Sequence, residues 1–327
     1  MQTLQTVAEP LSARAVPLPC VDLDPLGHDI DVVDVGWCEY RFSGNTARRM
    51  TGILRLCDGD RSIDDLASSL DAPPPSMAKA VTDLYTRGIV RDVNQEPAPA
   101  STFQEHMVSV GRTLRTTMSR EADLLGGELH RRRLLGTLVE TFHFVSSASS
   151  HIGAAVAHAA DRQVRDALAQ LFTEEWKHGR DLGAGLRAAG LSDATVRRCQ
   201  PLPGTRSVVN FLVTLAGTDL LSYAICAAVN ESPKSDTAIK EGWDALIALS
   251  LVPAAALTPF RGHELEDEEA DHASIAAAVF ADRATISPDE QRRIRHNLES
   301  FVAVQRTCYR EMKEFYAAPE GPVAWGV

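Results

Sequence analysis

From about residue 104 to about residue 317 the chain carries one hydrophobic period, that of the α-helix, and no strand-period segment interrupts it. Helices are expected at 104–125, 129–159, 162–189, 192–199, 206–230, 235–250, 253–282 and 288–317. Pro259 should kink or split the seventh of these, because it lacks an N–H and its ring collides with the preceding turn. Gly190 and Gly204 are read as stops. Ser287-Pro288-Asp289-Glu290 reads as a start: a cap, a proline at the first position, then acids on the positive end of the helix dipole. The expectation is a mostly α protein whose larger domain, 105–318, is a helical bundle.

The front of the chain differs. Residues 1–25 hold Pro10, Pro17, Pro19 and Pro25 without periodicity and read as an arm. Residues 26–95 suggest strands at 30–35 and 38–42 joined at Gly36. A helix follows with Asn45 as its cap, then a short helix opened by Ser62-Ile63-Asp64-Asp65, a third at 77–86 and a strand after Gly88. Residues 96–104 read as a linker and 319–327 as a tail. Two strands, three helices and a strand make a small winged-helix α+β domain. Its middle helix carries Asp64 and Asp65 and no base, where a phosphate-facing helix would need Lys or Arg. The runs LCDGDRSIDDLASSL and AVTDLYTRGIV resemble PqqD-like peptide-docking domains. That resemblance implies a leader-type peptide added as a strand at the hairpin edge. A purely structural appendage is the other reading.

Composition narrows the function. The net charge of −11 argues against nucleic acid or an anionic membrane as partner. The most apolar stretch, 208–229, is broken by polar residues and reads as a buried helix rather than a membrane span. Cys20, Cys38, Cys57, Cys199, Cys226 and Cys308 form no CxxC pair, and the N-terminus has no signal-peptide core. A cytoplasmic location is therefore expected. Nothing excludes a homodimer.

The chemistry gathers in three places. The decapeptide His263–His272 has acids at Glu264, Glu266, Asp267, Glu268, Glu269 and Asp271 and no Lys or Arg. Uncompensated carboxylates at helical spacing repel one another. A metal ion would supply the missing charge, and an acidic surface turn is the plain alternative. Upstream, Glu175 and His178 lie three apart and Glu174 and His178 four apart, so either acid can share a helix face with the histidine. A surface ion pair with Lys177 or Arg180 is the competing reading. Glu231 follows the most apolar helix, where the dipole disfavours an acid. His143, with Glu140 three residues before it, could line a pocket or form another pair.

Together these places resemble the heme-oxygenase-like family of non-haem diiron oxidases and oxygenases. Glu175 (or Glu174) and His178 resemble that family's first ligand pair, Glu231 its next acid, and His263 with Asp267 the start of its last H-x-x-x-D-x-x-H motif. The motif's final histidine would fall at Ala270. His272 comes two residues late, about 180° from His263 on an ideal helix. A bulge could bring His272 round, or Asp271 could substitute. The resemblance implies a heme-oxygenase-like bundle, two irons per chain and O2 as co-substrate, with manganese the nearest competitor for such ligands. With the docking domain, it implies a peptide or amino-acid-derived substrate in natural-product biosynthesis. Two alternatives stay open. One is a cofactorless PqqC-like or thiaminase-like enzyme, in which Cys226 would be the nucleophile. The other is a non-catalytic peptide-binding scaffold.

Overall fold

The structure is a computed structural model that describes residues 11–20, 32–34, 39–122, 129–231, 236–269 and 274–325. It divides into two compact units, Met1–Pro99 with Thr285–His296, and Ala100–Ala284 with Asn297–Val327.

Among the described residues the first unit holds α1 (Gly44–Leu56), α2 (Ile63–Ser69), α3 (Pro74–Thr86), the start of the long last helix, and short antiparallel ladders. Strand β1 (Pro17–Pro19) pairs with β4 (Val90–Asp92), β2 (Val32–Asp34) with β3 (Glu39–Arg41), and β5 (Ala98–Pro99) with β6 (Thr285–Ile286). The proline-rich segment read as an arm thus supplies a strand. Pro17 and Pro19 cost it no ladder bond on the β4 side, because the donors there are alternate residues: the Cys20 N–H gives to the Ile89 carbonyl at 2.8 Å. The turn at Gly36 lies outside the described residues. Asn45 does not cap α1. The cap is Ser43, two residues earlier, with Gly44 at φ +55°, and Asn45 sits in the first turn accepting from Arg48 at 2.6 Å. At α2 the reading holds: the Asp65 N–H donates to the Ser62 hydroxyl while the Asp65 carboxylate accepts from the Ser62 backbone. Leu54, Ile63, Leu66, Val81 and Ile89 form the dry centre of this unit.

The second unit is helical. Its elements are α4 (Ala100–Ala122), α5 (Arg131–Ser146), α6 (Ala148–His158), α7 (Arg162–Glu175), α8 (His178–Ala188), α9 (Asp193–Arg198), α10 (Pro203–Thr218), α11 (Leu220–Asn230), α12 (Asp236–Ala248), α13 (Ala254–Glu269), α14 (Ile275–Phe280) and, from Asn297 on, the long α15 (Pro288–Phe315). Three expected long helices are each divided, at Ser147, at Trp176–Lys177 and at Asp219, and the expected 253–282 helix comes as α13 and α14. Asp219 shows why: its backbone is extended and its carboxylate accepts from the Ser222 hydroxyl at 2.5 Å, capping the next helix instead of continuing the last. Pro259 does not split its helix, since α13 runs through it to Glu269. Gly204 is no stop either. It lies in the first turn of α10, its N–H donating to Glu311. Ser287 and Glu290 form the expected reciprocal cap of α15.

Helix α8 is the inner rod. Leu182 and Leu186 are fully buried against Leu134, Leu138 and Val139 of α5 and Ala256, Leu257 and Phe260 of α13. Its glycines set how near the neighbours come. A Cβ at Gly179 would stand 2.7 Å from the Ser146 hydroxyl at the end of α5, and one at Gly185 would stand 2.7 Å from the Ala256 carbonyl of α13. Neither rod could sit where it does with a larger residue there.

A second anchor is polar. Glu140 on α5 is 1% exposed and accepts from the Leu202 N–H (3.0 Å), the Thr205 hydroxyl (2.6 Å) and the Tyr316 hydroxyl (3.1 Å). Burial pushes its carboxyl above the usual range and these three donors only partly offset that. It ties α5, α10 and the end of α15 together. Glu140→Ala should strand three buried donors and cost about 3 kcal/mol or more in chemical denaturation.

Candidate metal centre

Glu175 closes α7 and His178 opens α8; the two residues between, Trp176 and Lys177, keep near-helical backbone. The pair therefore retains its three-residue helical relation across a seam between two helices. Glu175 is 8% and His178 4% exposed. The close approach of α8 and α13 at Gly185 brings the third group in. Moving back along α8 from Gly185 to His178 corresponds to moving forward along α13 from Ala256 to His263, so the two helices run antiparallel and His178 meets His263. Their ring centroids are 4.5 Å apart. Donor atoms of Glu175, His178 and His263 lie within 4.8 Å of one another, close enough to share one metal ion.

The neighbouring charges are ordered. The His178 Nδ1 is 3.1 Å from the Glu175 carboxylate and its Nε2 is 3.4 Å from that of Glu266. Lys177 reaches Glu266 at 2.6 Å, and this ammonium holds the Glu266 carboxyl below the usual range. Glu266 thus already has a cationic partner. Two imidazoles and a carboxylate, with no thiolate in the group, suit a divalent first-row ion such as iron(II) or manganese(II) and leave positions for other ligands. Both ring nitrogens of His178 face carboxylates, which fixes how the ring is turned, and an ion would take the place of one of these contacts.

Of the other expected ligands, Glu174 and Glu231 are not in this three-residue group, and the side chains of the rest lie outside the described residues. Glu174 accepts from Gln170 at 3.0 Å on an exposed face. Glu231 ends α11, accepts from the Asn230 amide at 2.9 Å and is not part of the three-residue group. Asp267 lies on α13, but its side chain, Ala270, Asp271 and His272 are outside the described residues. Glu266 was not singled out in the sequence. Its spacing from His263 on α13 (i, i+3) was the available signal, hidden among six acids. His143 lines a cleft beside α8. Cys226 is 1% exposed and burial raises its thiol well above the ordinary value, which leaves it protonated and does not suit a nucleophile.

His151 sits behind the site, its Nδ1 2.9 Å from the hydroxyl of the fully buried Tyr223. Burial pushes this imidazole down to about 4, with the charge of Glu175 opposing.

No family model matches the chain, and no curated protein does either. Among solved structures the chain is similar to a domain of unknown function with a heme oxygenase-like fold from Shewanella denitrificans. Identity is 13%, the match covers 66% of this chain and 93% of that one, and the TM-score is 0.52. At that identity the likeness shows the fold alone. The chain is thus mostly helical, with a heme oxygenase-like fold and small N-terminal strands. Among the described residues no helix is long and apolar enough to cross a membrane.

Two outcomes follow from the geometry. Gly185→Val should drive α8 from α13, lowering the melting temperature and abolishing the shared ion site in metal titrations. A histidine held neutral by the fold stabilises it above its unfolded pKa of 6.5, and that stability is lost as pH falls toward about 4. Denaturation midpoints should therefore fall over this range, and less steeply in His151→Asn.

Proposed function

We propose that this chain is a non-haem, iron- and O2-dependent oxidase or oxygenase whose ion is held by Glu175, His178 and His263. The observation that carries this reading is the buried carboxylate–imidazole–imidazole group between α7, α8 and α13. Two histidines and one carboxylate with open positions are the donor set of many iron(II) oxygenases. The heme oxygenase-like fold is compatible with such chemistry. Iron(II) bound there would pass electrons to O2, with the substrate supplying the remainder as it is oxidised. The protein's own contribution is to hold the ligands: Glu175 orients the His178 ring, and Lys177 keeps Glu266 engaged. The second iron of the resembling family would draw on Asp267 and His272, and Glu231 would have to approach it.

The substrate reading rests on the first unit. A PqqD-like docking module there would present a peptide to the helical unit as part of a natural-product pathway. The short β2–β3 ladder offers an edge of the kind that β-augmentation uses.

Anaerobic Fe(II) titration with metal analysis tests the assignment. At least one tightly held ion per chain is expected, with two if the further ligands take part. His178→Ala, His263→Ala and Glu175→Ala should each weaken binding by about tenfold or more, and Glu174→Ala should leave it unchanged. Binding that survives all three substitutions would overturn the ligand set. Full occupancy without O2 consumption on any peptide or amino-acid substrate offered would favour the scaffold.

A further inference from the structure

We propose that the cleft walled by α5, α8 and α9 is a binding site for a small organic carboxylate with an apolar body. None of its lining residues belongs to the metal group. The cleft has a volume of about 480 Å³, within the range of small-molecule pockets.

Its floor is apolar and its rim cationic. Phe142, Val196 and Pro201 line the inside, and Arg180, Arg187 and Arg197 stand around it. This cluster of guanidinium groups lies on a chain whose net charge is −11, so it runs against the overall field. Two acids face it. Asp181 lies 3.4 Å from Arg180, and Asp193 lies 3.6 Å from Arg187 and 3.9 Å from Arg197. One carboxylate is therefore divided between Arg187 and Arg197, and neither contact is within the 2.7–2.9 Å of a charge-assisted hydrogen bond. A ligand carboxylate could take the planar fork that Asp193 only approaches.

The space is kept open by a missing side chain. A Cβ on Gly183 would meet Phe142 at 3.4 Å, Arg187 at 3.7 Å and Val196 at 3.8 Å, all lining residues. A side chain at this position would thus fill the cleft without overlapping backbone. His143 forms part of the wall, and its Nε2 is buried with no hydrogen-bond partner. Burial pushes this imidazole down to about 4, so at neutral pH it offers a neutral polar group rather than another charge. An apolar floor, a neutral polar wall and an unsaturated arginine pair call for a ligand that is hydrophobic at one end and carboxylate at the other.

The probe is 2-naphthoate, titrated into the full-length protein by calorimetry, with 2-naphthamide as its uncharged counterpart and inorganic phosphate as the bare anion. Naphthoate should bind at least about tenfold more tightly than either. Arg187→Gln with Arg197→Gln, and separately Gly183→Leu, should each weaken it by about tenfold or more. Asp193→Asn should tighten it several-fold, a gain that misfolding cannot mimic. Iron loading should be unaffected in all of these variants. Equal binding of naphthamide, tighter binding of phosphate, or an Asp193→Asn protein that binds no better would overturn the assignment.

Discussion

The helical unit depends on how closely α8 lies against α13. That approach is possible because Gly185 presents only hydrogen to the Ala256 carbonyl. Everything at the candidate centre is downstream of it. The side chains of His178 and His263 meet because their helices cross in register at that contact, and the leucines of α8 seal the space between. Burial of each such leucine contributes about 1.5–3 kcal/mol, so the fold can hold partly buried polar groups beside it. Gly179 plays the same part toward α5, which makes α8 a rod fitted on two sides at once.

The polar groups inside this unit are of two kinds. Glu140 is buried and saturated with donors, and it acts as a tie between helices. Glu175 and His178 are buried, and the His178 ring faces both Glu175 and Glu266 of the neighbouring helix. The same distinction separates Glu140 with His143 from Glu175 with His178, although both pairs have the spacing Glu-x-x-His.

Much of this was legible in the sequence. The uninterrupted helical period marks out the helical unit, and Ser62 and Ser287 announce their caps by an acid three residues on. What could not be read is where long helices break. Ser147, Trp176 and Asp219 lie within helical periodicity, and the break at Asp219 depends on whether its side chain turns forward to cap the next helix or outward to solvent. Pro259 does not split its helix, which runs through it to Glu269. At the site, spacing alone could not rank Glu174 against Glu175, since both share a face with His178. Burial does so, through the apolar positions Val164, Leu168 and Leu171 that turn the same side of α7 inward as Glu175.

The seam at Trp176–Lys177 means that the three donors come from three separate rods. An ion gripped by Glu175, His178 and His263 would act as a rivet, since no two of the rods could then part without breaking a coordinate bond. Its grip would appear as added resistance to unfolding that grows with the logarithm of the free ion concentration.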